Sequence, residues 1–125
     1  LVIDDEESSL TAIELSLFDS DYEVIKAYNG RGGIQYILDN PNKIDLILLD
    51  MMMPDISGTE VIKELRKINC EIPIIIQTAS CTYSDISKAL SLGAKSFLSK
   101  PFDKKLLISV LNKAFMDSNE CSESH

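Results

Sequence analysis

Residues 44–50 read Ile44-Asp45-Leu46-Ile47-Leu48-Leu49-Asp50, and Leu46 to Leu49 are apolar at every position. A strand with one wet face alternates apolar and polar side chains, whereas a strand covered on both faces does not. Ile44 to Leu49 is therefore read as a buried strand that runs directly into an acid, Asp50. Downstream, Ile74-Ile75-Ile76 repeats the pattern within a second strand, Ile72 to Gln77, followed by Thr78. Between the two, Val61, Ile62, Leu65 and Ile68 recur with helical spacing and make one apolar stripe. Strand, helix and strand in that order are the unit of a parallel sheet.

The same unit recurs on either side. Leu1-Val2-Ile3, Tyr22 to Tyr28 and Ser96 to Ser99 complete a set of five candidate strands, and Leu106, Leu107, Val110, Leu111, Ala114 and Phe115 mark the last helix. Glu23-Val24-Ile25-Lys26 and Lys95-Ser96-Phe97-Leu98 mix polar and apolar residues, which puts strands two and five at the sheet edges. The expected fold is α/β, a single doubly wound five-stranded parallel sheet of flavodoxin-like type. Right-handed crossovers then give strand order 2-1-3-4-5, with a switch point between strands one and three.

At 125 residues and 45% hydrophobic content the chain fits one domain, here 1–116, followed by a polar segment, 117–125, without apolar period and expected to fray. Acidic residues outnumber basic ones twenty to twelve, for a net charge of -8, which argues against a direct nucleic-acid surface. No apolar run approaches the roughly 20 residues of a membrane span. Leu1 to Glu7 lacks the basic region of a signal peptide, so a soluble, cytoplasmic protein is expected. Cys70, Cys81 and Cys121 have no paired ligand spacing and read as reduced thiols.

In open α/β sheets ligands bind outside the carboxyl ends of the strands. Strand one runs into Asp4-Asp5-Glu6, strand three into Asp50, strand four into Thr78 and strand five into Lys100-Pro101, whereas strand two ends in Asn29-Gly30. Asp4, Asp5 and Asp50 are expected to converge, and three carboxylates in one crevice repel unless a cation joins them. Oxygen ligands favour Mg²⁺. Lys100 offers a positive charge and Thr78 a hydroxyl, which suits a phosphoryl group in contact with the metal. The chemistry expected is in-line transfer to a carboxylate oxygen of Asp50.

Asp4-Asp5, Asp50-Met51-Met52-Met53-Pro54 with Gly58, Thr78-Ala79 and Lys100-Pro101-Phe102 resemble, in order and spacing, the signature of response-regulator receiver domains of the chemotaxis-regulator-like type. The resemblance covers roughly Leu1 to Phe115. It implies a phosphoacceptor at Asp50, with phosphoryl contacts from Thr78 and Lys100. It implies metal ligation by Asp5 and Asp50 and by the backbone carbonyl of Met52, with Asp4 acting mostly through metal-bound water. Lys100-Pro101 matches a bond that is usually cis in the family. Phe97 matches the aromatic switch that swings inward when the Thr78 hydroxyl is drawn to the phosphoryl group. With Phe in place of the common Tyr, any hydrogen bond from a ring hydroxyl is lost. Ser80 and Met52 match positions that tune water access.

The implied partners are a histidine kinase or histidine phosphotransfer protein, with the output domain undetermined. The resemblance leaves a homodimer through the last helix–strand–helix face open. The implied activity is that of a signalling phosphoacceptor with self-catalysed phosphorylation and dephosphorylation only, rather than an enzyme.

Each residue also has a plainer reading. A lone acid at a strand end is commonly a helix cap, Lys100 a surface lysine before a turn proline, and Thr78 a β-branched strand terminus. Met51-Met52-Met53 reads as one inward-packing residue and two loop residues rather than a thioether metal site. Glu6 and Glu7 suit the first turn of helix one, Asp55 suits a loop or cap, and His125 suits a frayed end. An aspartyl-phosphate phosphatase of haloacid dehalogenase type, the alternative function, needs a second acid where this chain has Met52. A flavodoxin-like flavin binder needs a phosphate loop where it has Asp4-Asp5-Glu6-Glu7, and a degenerate receiver would lack reactive residues that are present here.

Overall fold

The computed structural model describes residues 1–79 and 82–123, with residues 118–123 as backbone only. Strands and helices alternate along the described chain as β1 (Val2–Ile3), α1 (Glu7–Ser16), β2 (Lys26–Ala27), α2 (Gly30–Asp39), β3 (Ile47–Asp50), α3 (Gly58–Lys67), β4 (Ile74–Thr78), α4 (Tyr83–Ser91), β5 (Ser96–Ser99) and α5 (Lys104–Glu123). The strands pair parallel in the order β2-β1-β3-β4-β5, so the mixed-polarity strands do lie at the edges.

The apolar runs are covered on both faces. Ile47, Leu49, Ile74 and Ile76 pack with Ile37, Val61, Ile62, Leu65 and Ala89 beneath α2, α3 and α4. Leu46, Leu48, Ile75 and Leu98 point the other way, onto Leu10, Ile13, Leu107, Leu111 and Ala114 of α1 and α5. Strand alternation alone divides the four consecutive apolar residues of Leu46–Leu49 between two cores. Nearly all these side chains are buried, each worth about 1.5–3 kcal/mol when fully removed from water.

Several boundaries differ from the sequence expectation. The second strand, expected over Tyr22–Tyr28, pairs only at Lys26–Ala27, because an edge segment has one neighbour; Tyr22 and Val24 instead pack against the α1/α5 core. β3 and β4 start later than expected, and Pro73, which has no N–H to give to a ladder, precedes β4. Both strands also extend one residue further, so that Asp50 and Thr78 are the last strand residues. The segment expected to fray from Asp117 begins as a continuation of α5, which reaches Glu123, since no Gly or Pro interrupts the helix from Lys104 onward. Cys70 is a half-buried free thiol, while Cys81, the side chain of Cys121 and His125 lie outside the described residues.

Candidate functional site

Parallel pairing puts the carboxyl ends of four strands at one rim of the sheet. Asp4 follows β1, Asp50 ends β3 opposite Gln77, and Thr78 ends β4 opposite Ser99, next to Lys100. One carboxylate oxygen from each of Asp4, Asp5 and Asp50 lies within 4.8 Å of the others. Asp4 and Asp50 are buried while Asp5 is exposed, so the cluster opens to solvent on one side.

Asp4 is held from three directions. Its Oδ1 accepts the Glu6 backbone N–H at 2.9 Å, and its Oδ2 accepts from Lys100 Nζ at 3.0 Å and Gln77 Nε2 at 3.2 Å. Asp50 Oδ1 accepts the Met52 backbone N–H at 3.2 Å, whereas its Oδ2 lies 3.9 Å from Lys100 Nζ, beyond a hydrogen bond. Burial pushes the Asp50 carboxyl up to about 6, reinforced by the neighbouring Asp4 and opposed by the Met52 N–H and Lys100.

The loop after β3 is fixed by close packing. Gly58 N–H donates to the Met51 carbonyl at 3.0 Å, and a Cβ at Gly58 would stand 2.8 Å from Met51 Sδ and 2.9 Å from Met51 Cα. Only glycine lets α3 start this close to Asp50. Met51 is buried and Met52 is 74% exposed, as the reading of one inward methionine expects, but Met53 is half-buried and also packs against the core.

Thr78 is buried and its Oγ1 has no hydrogen-bond partner among the described residues. Lys100 N–H donates to the Thr78 carbonyl, which locks the two strand ends together, and Lys100-Pro101 is cis. Phe97 lies on β5 opposite Ile76 and is 42% exposed, an outward ring. Ser80 lies outside the described residues.

Asp4, Asp5, Asp50, Thr78 and Lys100 are thus brought to one rim, while Phe97 flanks it. Two further residues matter around this rim, of which Gln77 was not singled out in the sequence. Gln77, fully buried, donates to Asp4 and leaves its Oε1 unpaired among the described residues. An amide ending the apolar run Ile74-Ile75-Ile76 was the available signal. Asp55, read as loop or cap, caps a distant helix: its carboxylate accepts the backbone N–H groups of Gly30 and Arg31 at the start of α2. Those bonds, with that from Ile56, outweigh burial and hold its carboxyl below the usual range.

The sequence model of the response regulator receiver domain matches residues 1–112. The chain is 41% identical over 108 residues to the transcriptional regulatory protein DltR of Streptococcus agalactiae, covering 86% of this chain and 47% of that one. It is 39% identical over 105 residues to the alkaline phosphatase synthesis transcriptional regulatory protein PhoP of Bacillus subtilis, covering 84% and 43%. The chain therefore spans about half the length of these curated relatives. Among solved structures, a response regulator receiver domain protein from Clostridium thermocellum superposes with a TM-score of 0.88 at 31% identity, covering 96% of this chain and 95% of that one. The chemotaxis protein CheY4 of Vibrio cholerae gives 0.83 at 27% identity, covering 90% and 94%. With the four strand ends, the parallel order and these likenesses in agreement, the chain belongs to the response regulator receiver domains of two-component systems.

Proposed function

We propose that Asp50 accepts a phosphoryl group with Mg²⁺ bound beside it, and that this modification switches the domain. The observation that carries the reading is the convergence of Asp4, Asp5 and Asp50 within 4.8 Å, with one ammonium, that of Lys100, beside Asp4 and Asp50 among the described residues. One ammonium cannot balance three carboxylates, so the site calls for a divalent cation. The donors fit one: hard oxygens throughout, one side open to solvent, and a buried Thr78 hydroxyl without a partner among the described residues. Asp5, Asp50 and the Met52 carbonyl would hold the ion, with Asp4 acting through metal-bound water. Mg²⁺ supplies charge neutralisation at the transferring phosphoryl oxygens.

The chain's own residues do the rest. An Asp50 carboxylate oxygen attacks phosphorus; the O–P bond forms as the bond to a histidine nitrogen, or to the acetate oxygen of acetyl phosphate, breaks and the leaving group takes the electron pair. The Met52 N–H orients the Asp50 carboxylate. Lys100 balances the phosphoryl charge and Thr78 donates to one of its oxygens, while Phe97 turns inward as Thr78 moves. The donor would be a histidine kinase or histidine phosphotransfer protein, and the unit 1–116 would signal to an output domain or protein in the cytoplasm. Phosphorylation and its hydrolysis would be the only chemistry. No helix among the described residues is long and apolar enough to cross a membrane.

Intact mass after incubation with Mg²⁺ and acetyl phosphate tests this. One added phosphoryl group, absent in Asp50→Asn, is expected. An unmodified wild type, or an adduct that persists in the variant, would overturn the assignment.

A further inference from the structure

Asp4 Oδ2 is shared by two donors of different kinds. Lys100 Nζ, partly exposed and mobile on four methylenes, lies 3.0 Å away, and Gln77 Nε2, fully buried on β4, lies 3.2 Å away. Lys100 is bound to Asp4 here and stands 3.9 Å from Asp50. To serve a phosphoryl group on Asp50, its ammonium has to shift away from Asp4. Asp4 is completely buried, and a buried carboxylate stripped of a charged partner is costly.

Gln77 changes that balance. It is an amide in a fully covered strand whose other residues are three isoleucines and Thr78, and Asp4 is its one side-chain partner among the described residues. Its Oε1 has none, so nothing else in the described fold requires an amide at this position. The proton assignment follows from the partner, since an amide oxygen facing a carboxylate would repel it. We infer that Gln77 is a positioning residue for phosphoryl transfer: its amide keeps Asp4 Oδ2 hydrogen-bonded when Lys100 leaves, which frees Lys100 to move to the phosphoryl group. The inference rests on the reading of Asp50 as phosphoacceptor and adds a residue that acts through Asp4 and Lys100 rather than on the phosphoryl group itself.

Gln77→Met keeps the length and removes the donor. On this inference Mg²⁺ alone would leave Lys100 on Asp4, whereas the Mg²⁺–beryllofluoride complex, a phosphoryl mimic, would draw it away. The variant is therefore expected to bind Mg²⁺ within twofold of wild type in an NMR titration, yet to bind beryllofluoride about tenfold more weakly by ¹⁹F NMR, a change of about 1.4 kcal/mol. Equal weakening of both ligands would show a merely structural residue, and no weakening of either would show an idle one; both results overturn the inference. Should the variant not fold, the unmutated protein gives the same test. The ¹⁵N-labelled Gln77 side-chain amide should move downfield on beryllofluoride binding as its bond to Asp4 tightens, and an unchanged resonance overturns the inference. Wild-type protein that binds no beryllofluoride would instead overturn the reading of the site beneath it.

Discussion

Asp50 is a carboxylate that burial disfavours and that the proposed phosphoryl transfer requires to be charged. In the folded protein its carboxyl is raised from 3.8 to about 6, so the fold holds this proton more tightly than the unfolded chain does. Linkage sets the sign: Asp50 costs nothing below pH about 3.8, becomes progressively destabilising as pH rises to about 6, and carries its full cost above that. Without Mg²⁺, Asp50→Asn should therefore be more stable than wild type by about 2 kcal/mol at pH 7.5, with a smaller gap at pH 5. Urea unfolding at the two pH values measures this, and a gap that widens on acidification would contradict it. With saturating Mg²⁺ the gap should shrink or reverse, because the variant would lack one of the proposed ligands.

Thr78 presents a related case at the same scale. Its hydroxyl is buried without a partner among the described residues, so Thr78→Val should leave stability unchanged or raise it by about 1 kcal/mol. The response to a phosphoryl mimic should nevertheless be lost, since that hydroxyl is the contact through which the switch would sense phosphate. A thermal melt and a beryllofluoride-induced chemical-shift change read the two effects separately.

At the scale of elements, two polar side chains tie helices together from outside the apolar core. Arg66, on α3, donates to the carbonyls of Leu92 and Gly93 at the C-terminal end of α4 and to that of Cys70. Gly93 takes φ +114, and a Cβ there would collide with the Arg66 guanidinium, so the left-handed turn and the arginine occupy the space together. Arg66→Ala should cost about 1–2 kcal/mol by denaturant unfolding. Arg66→Lys should rescue little, because one ammonium cannot reach three carbonyls in a fixed fork.

Asp55 ties the loop after β3 to the start of α2, and Asn29 caps the same helix through the Gly32 N–H at 2.6 Å. Asp55→Ala should cost about 1 kcal/mol. The Asp55 carboxyl is depressed, so this contribution is present above its ordinary value of 3.8 and fades as pH falls through the lower folded-state value.

For the whole molecule, packing is uneven. Among the described residues of α4 only Ala89 is buried, whereas α3 buries Gly58, Val61, Ile62 and Leu65. α4 is thus the helix that costs least to displace, and it connects β4, which ends at Thr78, to β5, which carries Phe97. Beryllofluoride with Mg²⁺ should alter amide hydrogen exchange in the stretch 80–102, with little change in α2 and α3. An unaltered stretch would sink the switch while leaving Asp50 as phosphoacceptor intact.

Much of the architecture was legible in the chain. Runs such as Leu46–Leu49 and Ile74–Ile76 have to be strands covered on both faces, mixed runs have to be edges, and helical stripes between them force parallel crossovers. The polar residues at the strand ends then name the site, because in such a sheet those ends share one rim. Strand extent was not legible at the edge: Tyr22–Tyr28 has β composition, but only Lys26–Ala27 finds a partner. Nor was the end of α5, where nothing interrupts the backbone.

The sequence by itself determined which residue types meet at the rim and in what order the strands lie, since periodicity and strand-end chemistry are local properties. Only the tertiary structure decided the pairings through space: Lys100 on Asp4 rather than Asp50, Gln77 beneath them, Asp55 on α2 and Arg66 on α4. Each of these joins residues far apart in the chain, and a hydrogen bond depends on tenths of an ångström that no local pattern encodes.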